Sequence, residues 1–170
     1  MRCVPPASAS RGVASVVLAS VLLTACGGPV GPLAGGRLAG TMSAAPVRDW
    51  SFAAAYPLME IEVRPADPYS VKIHYYLDDG RLYFEGAPSA WSRWRDLLQE
   101  DPRIRVRFGE TVYPARAVAV TDPREIARVL PLYYAKDGDQ PTAACAASWR
   151  VEDCAFTGEL FRVESPATPE

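Results

Sequence analysis

From Leu58 to Val163 the chain alternates apolar and polar residues in short runs, twice interrupted by stretches of helical period. In LMEIEVR, Met59, Ile61 and Val63 alternate with Glu60 and Glu62, which predicts a half-buried strand over 58–64. Pro65 and Pro68 break the chain. SVKIHYYL then sets Val71, Ile73, Tyr75 and Leu77 against Lys72, His74 and Tyr76, predicting one strand over 70–77. Asp79-Gly80 and RLYFEG follow, and a strand, an Asp-Gly and another strand predict a tight hairpin. Over 89–100 the period lengthens. Trp91, Trp94, Leu97 and Leu98 form one stripe of an amphipathic helix capped by Ser89, and the tryptophans are expected to pack it on the sheet.

Asp101-Pro102 ends that helix. Arg103, Arg105 and Arg107 then alternate with Ile104, Val106 and Phe108, and Gly109-Glu110 turns into TVYPARAVAV, a second long hairpin. Its Pro114 suggests an edge or a bulge, since proline donates nothing to a ladder. Asp122, Pro123 and Glu125 open a further helix in capping-box fashion, bent or ended near Pro131. A loop holding Cys145 and Cys154 leads to a last strand over 158–163, and 165–170 reads as a loose tail. Upstream, VRDWSFAAAY predicts a short helix stopped by Pro57. The order is that of an α+β domain over 47–164: a mainly antiparallel sheet, closing as a barrel, flanked by helices.

The first 46 residues have another character. Arg2 and Arg11 are the only charges before Arg37, and the apolar run over 13–23 is shorter than the roughly 20 residues a membrane span needs. A charged start, a short apolar middle and a small-residue exit match a secretion signal. The exit, Leu23-Thr24-Ala25-Cys26, resembles the lipobox of bacterial lipoproteins, which implies cleavage after residue 25 and acylation of Cys26. Two or more acyl chains anchor stably. Gly27 after the cysteine implies, by resemblance to sorting rules, the periplasmic face of the outer membrane. Residues 26–46, rich in glycine, alanine and proline with one charge, read as the lipidated cysteine and a flexible linker reaching roughly 25 Å.

Removing residues 1–25 leaves 16 basic residues against 20 acidic, so no basic excess points to nucleic acid. Cys145 and Cys154 remain in an oxidising compartment and are expected to pair. The single histidine, His74, and two thiols do not complete a metal site, and a Ser/His/Asp triad is hard to assemble.

YYLDDGRLYF, then WSRWRDLLQEDPRIRVRFGETVYPARAVAVTDP, resembles the split β-barrel proteins of the deazaflavin-dependent nitroreductase group, relatives of the pyridoxamine-phosphate-oxidase-like flavin proteins. The likeness covers about residues 60–123. It implies a split β-barrel and, at the positions that would line a flavin ring, Lys72 and His74; Ser89 and Arg93 at the helix start are the matching phosphate candidates. Arg64-Pro65-Ala66-Asp67-Pro68-Tyr69-Ser70 departs from the family, which usually carries a basic, glycine-containing phosphate segment there. Read from the residues alone, Lys72 and His74 are better taken as the solvated polar face of a strand, and the arginine stripe as a solvated face pairing with acids of neighbouring strands.

Two functions follow. One is a non-catalytic, lipid-anchored envelope module that binds a small ligand or an envelope protein, and the depleted phosphate loop leans that way. The alternative is a flavin-type oxidoreductase acting on a quinone or nitro compound at the membrane. The cofactor stays open, with FMN one candidate, and a homodimer is one expected arrangement, as in split-barrel relatives.

Overall fold

The computed structural model describes residues 27–87, 93–137 and 140–166. The expected signal over 1–25, Cys26, Ser89 and Trp91 lie outside the described residues. Eight strands are present: β1 (Thr41–Met42), β2 (Met59–Val63), β3 (Tyr69–Ile73), β4 (Tyr76–Asp78), β5 (Arg81–Gly86), β6 (Arg103–Phe108), β7 (Thr111–Ala119) and β8 (Glu159–Glu164). Three helices flank them: α1 (Arg93–Glu100), α2 (Pro123–Asp137) and α3 (Ala143–Ser148). Among the described residues no helix is long and apolar enough to cross a membrane.

The strands form one curled sheet in the order β3-β2-β6-β7-β8-β5-β4, antiparallel throughout this path, with β1 added parallel to β7. Its two end strands, β3 and β4, are separated in the chain by only His74 and Tyr75. A sheet whose ends are joined by two residues must curl, so it forms a half-barrel whose end strands are linked by covalent continuity rather than by a ladder. The expected single strand over 70–77 is thereby corrected. Side-chain alternation does persist across it, with Val71, Ile73, Tyr75 and Leu77 all turned to the inner core. What changes is the partner, because β3 pairs with β2 and β4 with β5. Tyr75 pins the seam: it is buried, with its hydroxyl set against the carbonyls of Ala53 and Tyr56. Lys136 Nζ lies 3.7 Å from its ring centroid and donates to its carbonyl at 2.9 Å.

Both hairpins form as predicted. Asp79 and Gly80 have φ of 49° and 72°, the two left-handed positions that a two-residue turn demands, and Asp78 pairs with Arg81. Phe108 pairs with Thr111 across Gly109-Glu110. Pro114 sits within β7, where the strand changes neighbours: Thr111 and Val112 pair with β1, Arg116 to Ala119 with β8. Tyr113, Pro114 and Ala115 have no ladder on that side, so the missing N–H costs nothing there.

Inside the curl, Met59, Ile61, Val63, Leu82, Phe84, Ile104, Val106 and Phe161 pack against Trp94, Leu97 and Leu98 of α1. A second core lies outside it, where α2 and the α3 loop cover Tyr76, Tyr83 and Leu160 with Val129, Leu130, Tyr134 and Phe156. The disulfide Cys145–Cys154 belongs to this second core. Three expectations are corrected here. The helix over 47–56 shrinks to a 3-10 turn at Ser51–Ala55, α2 continues through Pro131 to Asp137, and the cysteine loop contains α3, capped by Thr142 Oγ1 accepting from Cys145 N at 3.1 Å. The expected loose tail begins with a clasp, since Ser165 Oγ accepts from Val47 N and donates to Val47 O, each at 2.7 Å.

Asp122 caps α2 through Arg124 N at 2.9 Å, but Glu125 does not turn back to complete the box. Its carboxylate faces the sheet, accepting from Tyr83 Oη at 2.8 Å and from Arg162 Nη1 at 2.6 and 2.8 Å. Burial alone would raise the Glu125 carboxyl, but the hydrogen bonds from Arg162 and Tyr83 outweigh it and hold it below its ordinary range. A carboxyl lowered on folding stabilises above its unfolded pKa and loses that contribution as pH falls through the folded value. Urea denaturation should therefore show stability falling below about pH 4.3. Glu125→Gln should cost about 1.5–3 kcal/mol at neutral pH and flatten that part of the pH profile.

Candidate functional site

The seam carries a cleft. It is an open concavity of about 780 Å³ lined by Lys72, Ile73 and His74 of the seam strand, Tyr76 of β4, Glu85 and Ala87 at the end of β5, Trp94 of α1 and Leu58. Gly31 and Pro32 close one side of it. That volume lies in the range of small-molecule and cofactor sites. Lys72 lies on β3 and His74 in the link after it, and both are exposed along the cleft. Ile73 and Trp94 reach the cleft from the inner side, and the Trp94 ring lies 5.9 Å from Phe84.

Of the predicted site residues, the structure brings Lys72 and His74 together in the cleft. Ser89 lies outside the described residues. Arg93 opens α1 beside Trp94, and its side chain lies outside the description. Sequence reasoning missed Gly31, Pro32, Leu58 and Glu85. Leu58 carried a signal, being the residue before the alternation of β2 starts; a glycine and a proline in a low-complexity stretch carried none.

The outer face of β3, β2 and β6 is a lattice of charges in register. Glu60 is the Cα partner of both Lys72 and Arg107, and Glu62 of Arg105. Lys72 Nζ lies 3.5 Å from Glu60, which also pairs with Arg107. Arg105 Nη1 donates to Glu62 at 2.8 Å, and Arg103 is held by Asp101 at 2.7 Å. The arginine stripe is thus occupied by ion pairs rather than arranged for an external anion.

This face is partly covered, and the covering segment over 27–42 is docked on the domain where a flexible linker over 26–46 was expected. From Gly27 to Met42 the chain is laid along the sheet. Gly36 N donates to Gly27 O at 2.7 Å, Gly35 and Ser70 exchange two backbone hydrogen bonds, and Arg107 donates to Ala39 O at 2.8 Å. Leu38 is buried, with its N–H 2.7 Å from the fully buried Glu62. The reason lies in the glycines. A Cβ on Gly35 would stand 2.3 Å from the Gly28 carbonyl carbon, so this glycine permits a close crossing of backbones rather than freedom of motion.

The loop between β2 and β3 offers no phosphate cradle. Arg64, at φ 52°, is bound to Asp67 at 2.7 Å, and Arg37 donates to Pro65 O at 2.9 Å. The cleft thus has apolar walls with Lys72 and His74 among its lining, and the loop beside it supplies no phosphate site. Among the described residues no group of three or more His, Cys, Asp or Glu is placed to hold a metal ion.

No family model matches the chain, and no curated protein matches it. Solved structures do. The chain is similar to the conserved hypothetical protein Rv2991 from Mycobacterium tuberculosis, at 16% identity and a TM-score of 0.51, over 75% of this chain and 86% of that one. It is similar to a FAD-binding protein from Mesorhizobium loti, at 19% identity and a TM-score of 0.43, over 66% and 83% of the two chains. A third is an F420-H2 dependent reductase, FDR-A, at 13% identity and a TM-score of 0.45, over 64% and 94%. At these identities the likeness is one of fold. The expected lean toward a non-catalytic module is corrected: a likeness of fold gives no ground for a lean away from catalysis, and the cleft lined by Lys72 and His74 stands open in this chain.

Glu62 tests how the segment over 27–42 is held. Glu62→Ala leaves Arg105 without its partner and Leu38 N without its acceptor. The cost should be about 3 kcal/mol, the low end for a broken buried pair, because a fifth of the Arg105 side chain still reaches solvent. Denaturant titration reads the cost, and hydrogen exchange should show the Leu38 amide losing protection before the amides of β6.

Proposed function

We propose that this chain is a lipid-anchored envelope protein whose seam cleft holds a flavin-type ring and serves as an oxidoreductase toward a quinone or nitro compound at the membrane surface. The observation that carries the reading is the meeting of Lys72 and His74 at the rim of a cleft with apolar walls. If bound and already reduced, a flavin-type ring would supply the two electrons that, with two protons, convert a quinone to its hydroquinone. Leu58, Ile73, Tyr76 and Trp94 supply flat apolar surface against which a planar ring is desolvated. Lys72, kept within reach of the rim by Glu60, places a positive charge beside whatever electron density the ring gains. His74 can pass a proton to the acceptor as the electrons arrive. Ser89 and Arg93, where α1 begins, stand as the candidates for any phosphate.

The lipobox-like Leu23-Thr24-Ala25-Cys26 supports acylation at Cys26 and, with Gly27, a place on the periplasmic face of the outer membrane. In that compartment the Cys145–Cys154 bond persists.

Titration of residues 27–170, disulfide oxidised, with FMN and FAD tests the reading by quenching of flavin fluorescence. Saturable micromolar binding is expected, weakened about tenfold, or 1.4 kcal/mol, by Lys72→Ala and again by His74→Ala. Quinone reduction by pre-reduced flavin should fall with the same variants. Absence of binding at about 100 μM flavin, far above the affinity expected of a micromolar site, would sink the proposal.

A further inference from the structure

We infer that the turn between Val30 and Leu33 is set into the lipid surface, so that the domain lies directly on the bilayer with the rim of the seam cleft at the lipid–water boundary. The inference rests on the acylation of Cys26 proposed above and says where the anchored domain sits. Val30 and Leu33 exchange two backbone hydrogen bonds, at 3.0 and 3.1 Å, across Gly31 and Pro32. The turn between them is tight, yet its two flanking side chains are the most exposed large apolar residues described, at 61% and 69%. A Cβ on Gly31 would meet nothing within 4 Å, so the tip stands clear of the rest of the domain. Its neighbour across the cleft, Leu58, is another exposed apolar side chain.

Both ends of this turn are tied down. Gly27 O accepts from Gly36 N, and Gly35 is bonded to Ser70 of β3. Cys26 is one residue from Gly27, so its Cα lies about 3.8 Å from a point fixed on the domain. Val30 is three residues beyond Gly27 and within about 11 Å of it. Acyl chains on Cys26 would therefore draw a rigid, apolar tip to the membrane with no slack to hold it away, and apolar faces bury roughly 5–10 Å into that boundary. Gly31 and Pro32 form one side of the cleft as well as the tip. An acceptor dissolved in the lipid would meet the cleft without crossing water.

The test uses the mature lipidated protein in vesicles of phosphatidylethanolamine and phosphatidylglycerol containing doxyl-labelled lipid. Among the described residues both cysteines are in the disulfide, so Val30→Cys, Leu33→Cys and, on the second core's side, Arg124→Cys each introduce one thiol for an environment-sensitive dye. Circular dichroism checks the fold of each. Quenching several-fold stronger at positions 30 and 33 than at 124, with blue-shifted emission, is the expected result. Equal quenching at all three in vesicle-bound protein would overturn the inference and leave acylation standing. Flotation of the unlabelled protein with and without Cys26→Ser reads acylation separately; protein that never floats with the vesicles overturns both.

Discussion

Two residues, His74 and Tyr75, join the ends of the sheet, and most of the structure follows from that short link. Because β3 and β4 cannot separate by more than this span, the strands between them must curl, and the curl creates the enclosed core that α1 plugs. The link also leaves an interruption in the ladder, where the cleft opens. The burial of Tyr75 and the hold of Lys136 make the link rigid. His74 is therefore carried next to a residue whose carbonyl and ring are both held by Lys136.

Away from the seam, the domain buries charge twice, and both times a glutamate reaches an arginine on another element. Glu62 joins the N-terminal segment to β2 and β6, and Glu125 joins α2 to β5 and β8. Neither pair adds much net stability over an apolar replacement of the same shape. What each does is tie two or three elements to one carboxylate, so that moving any of them breaks a hydrogen bond to a buried charge.

Alternation and turn chemistry made most of the sheet legible. Met59, Ile61 and Val63, the Asp79-Gly80 turn and the ArgIleArgValArgPhe run declared their strands because side-chain direction is written into a period of two. Pairing is not written there, so the change of partner after Ile73 could not be read from a pattern that runs on unbroken. Lys72 and His74 were placed on one face for the same reason, while the side of the cleft made by Gly31 and Pro32 stayed hidden. A glycine reads the same whether it gives slack or lets two backbones touch, and Gly35 does the second. Glu125 was misread because a capping position and a long-range ion pair ask for the same residue.

The parallel pairing of Thr41 and Met42 with Thr111 and Val112 also sets an order of events. A chain is made from its N-terminus, and the segment over 27–42 finds none of its partners on the sheet until β2, β3, β6 and β7 have followed it. Its docking is a late step that closes non-local contacts over an already formed sheet. Through that interval the segment is open chain. Once the sheet is complete, Gly35 lets the segment cross its neighbour closely, and the domain is finished by the part of the chain that was made first.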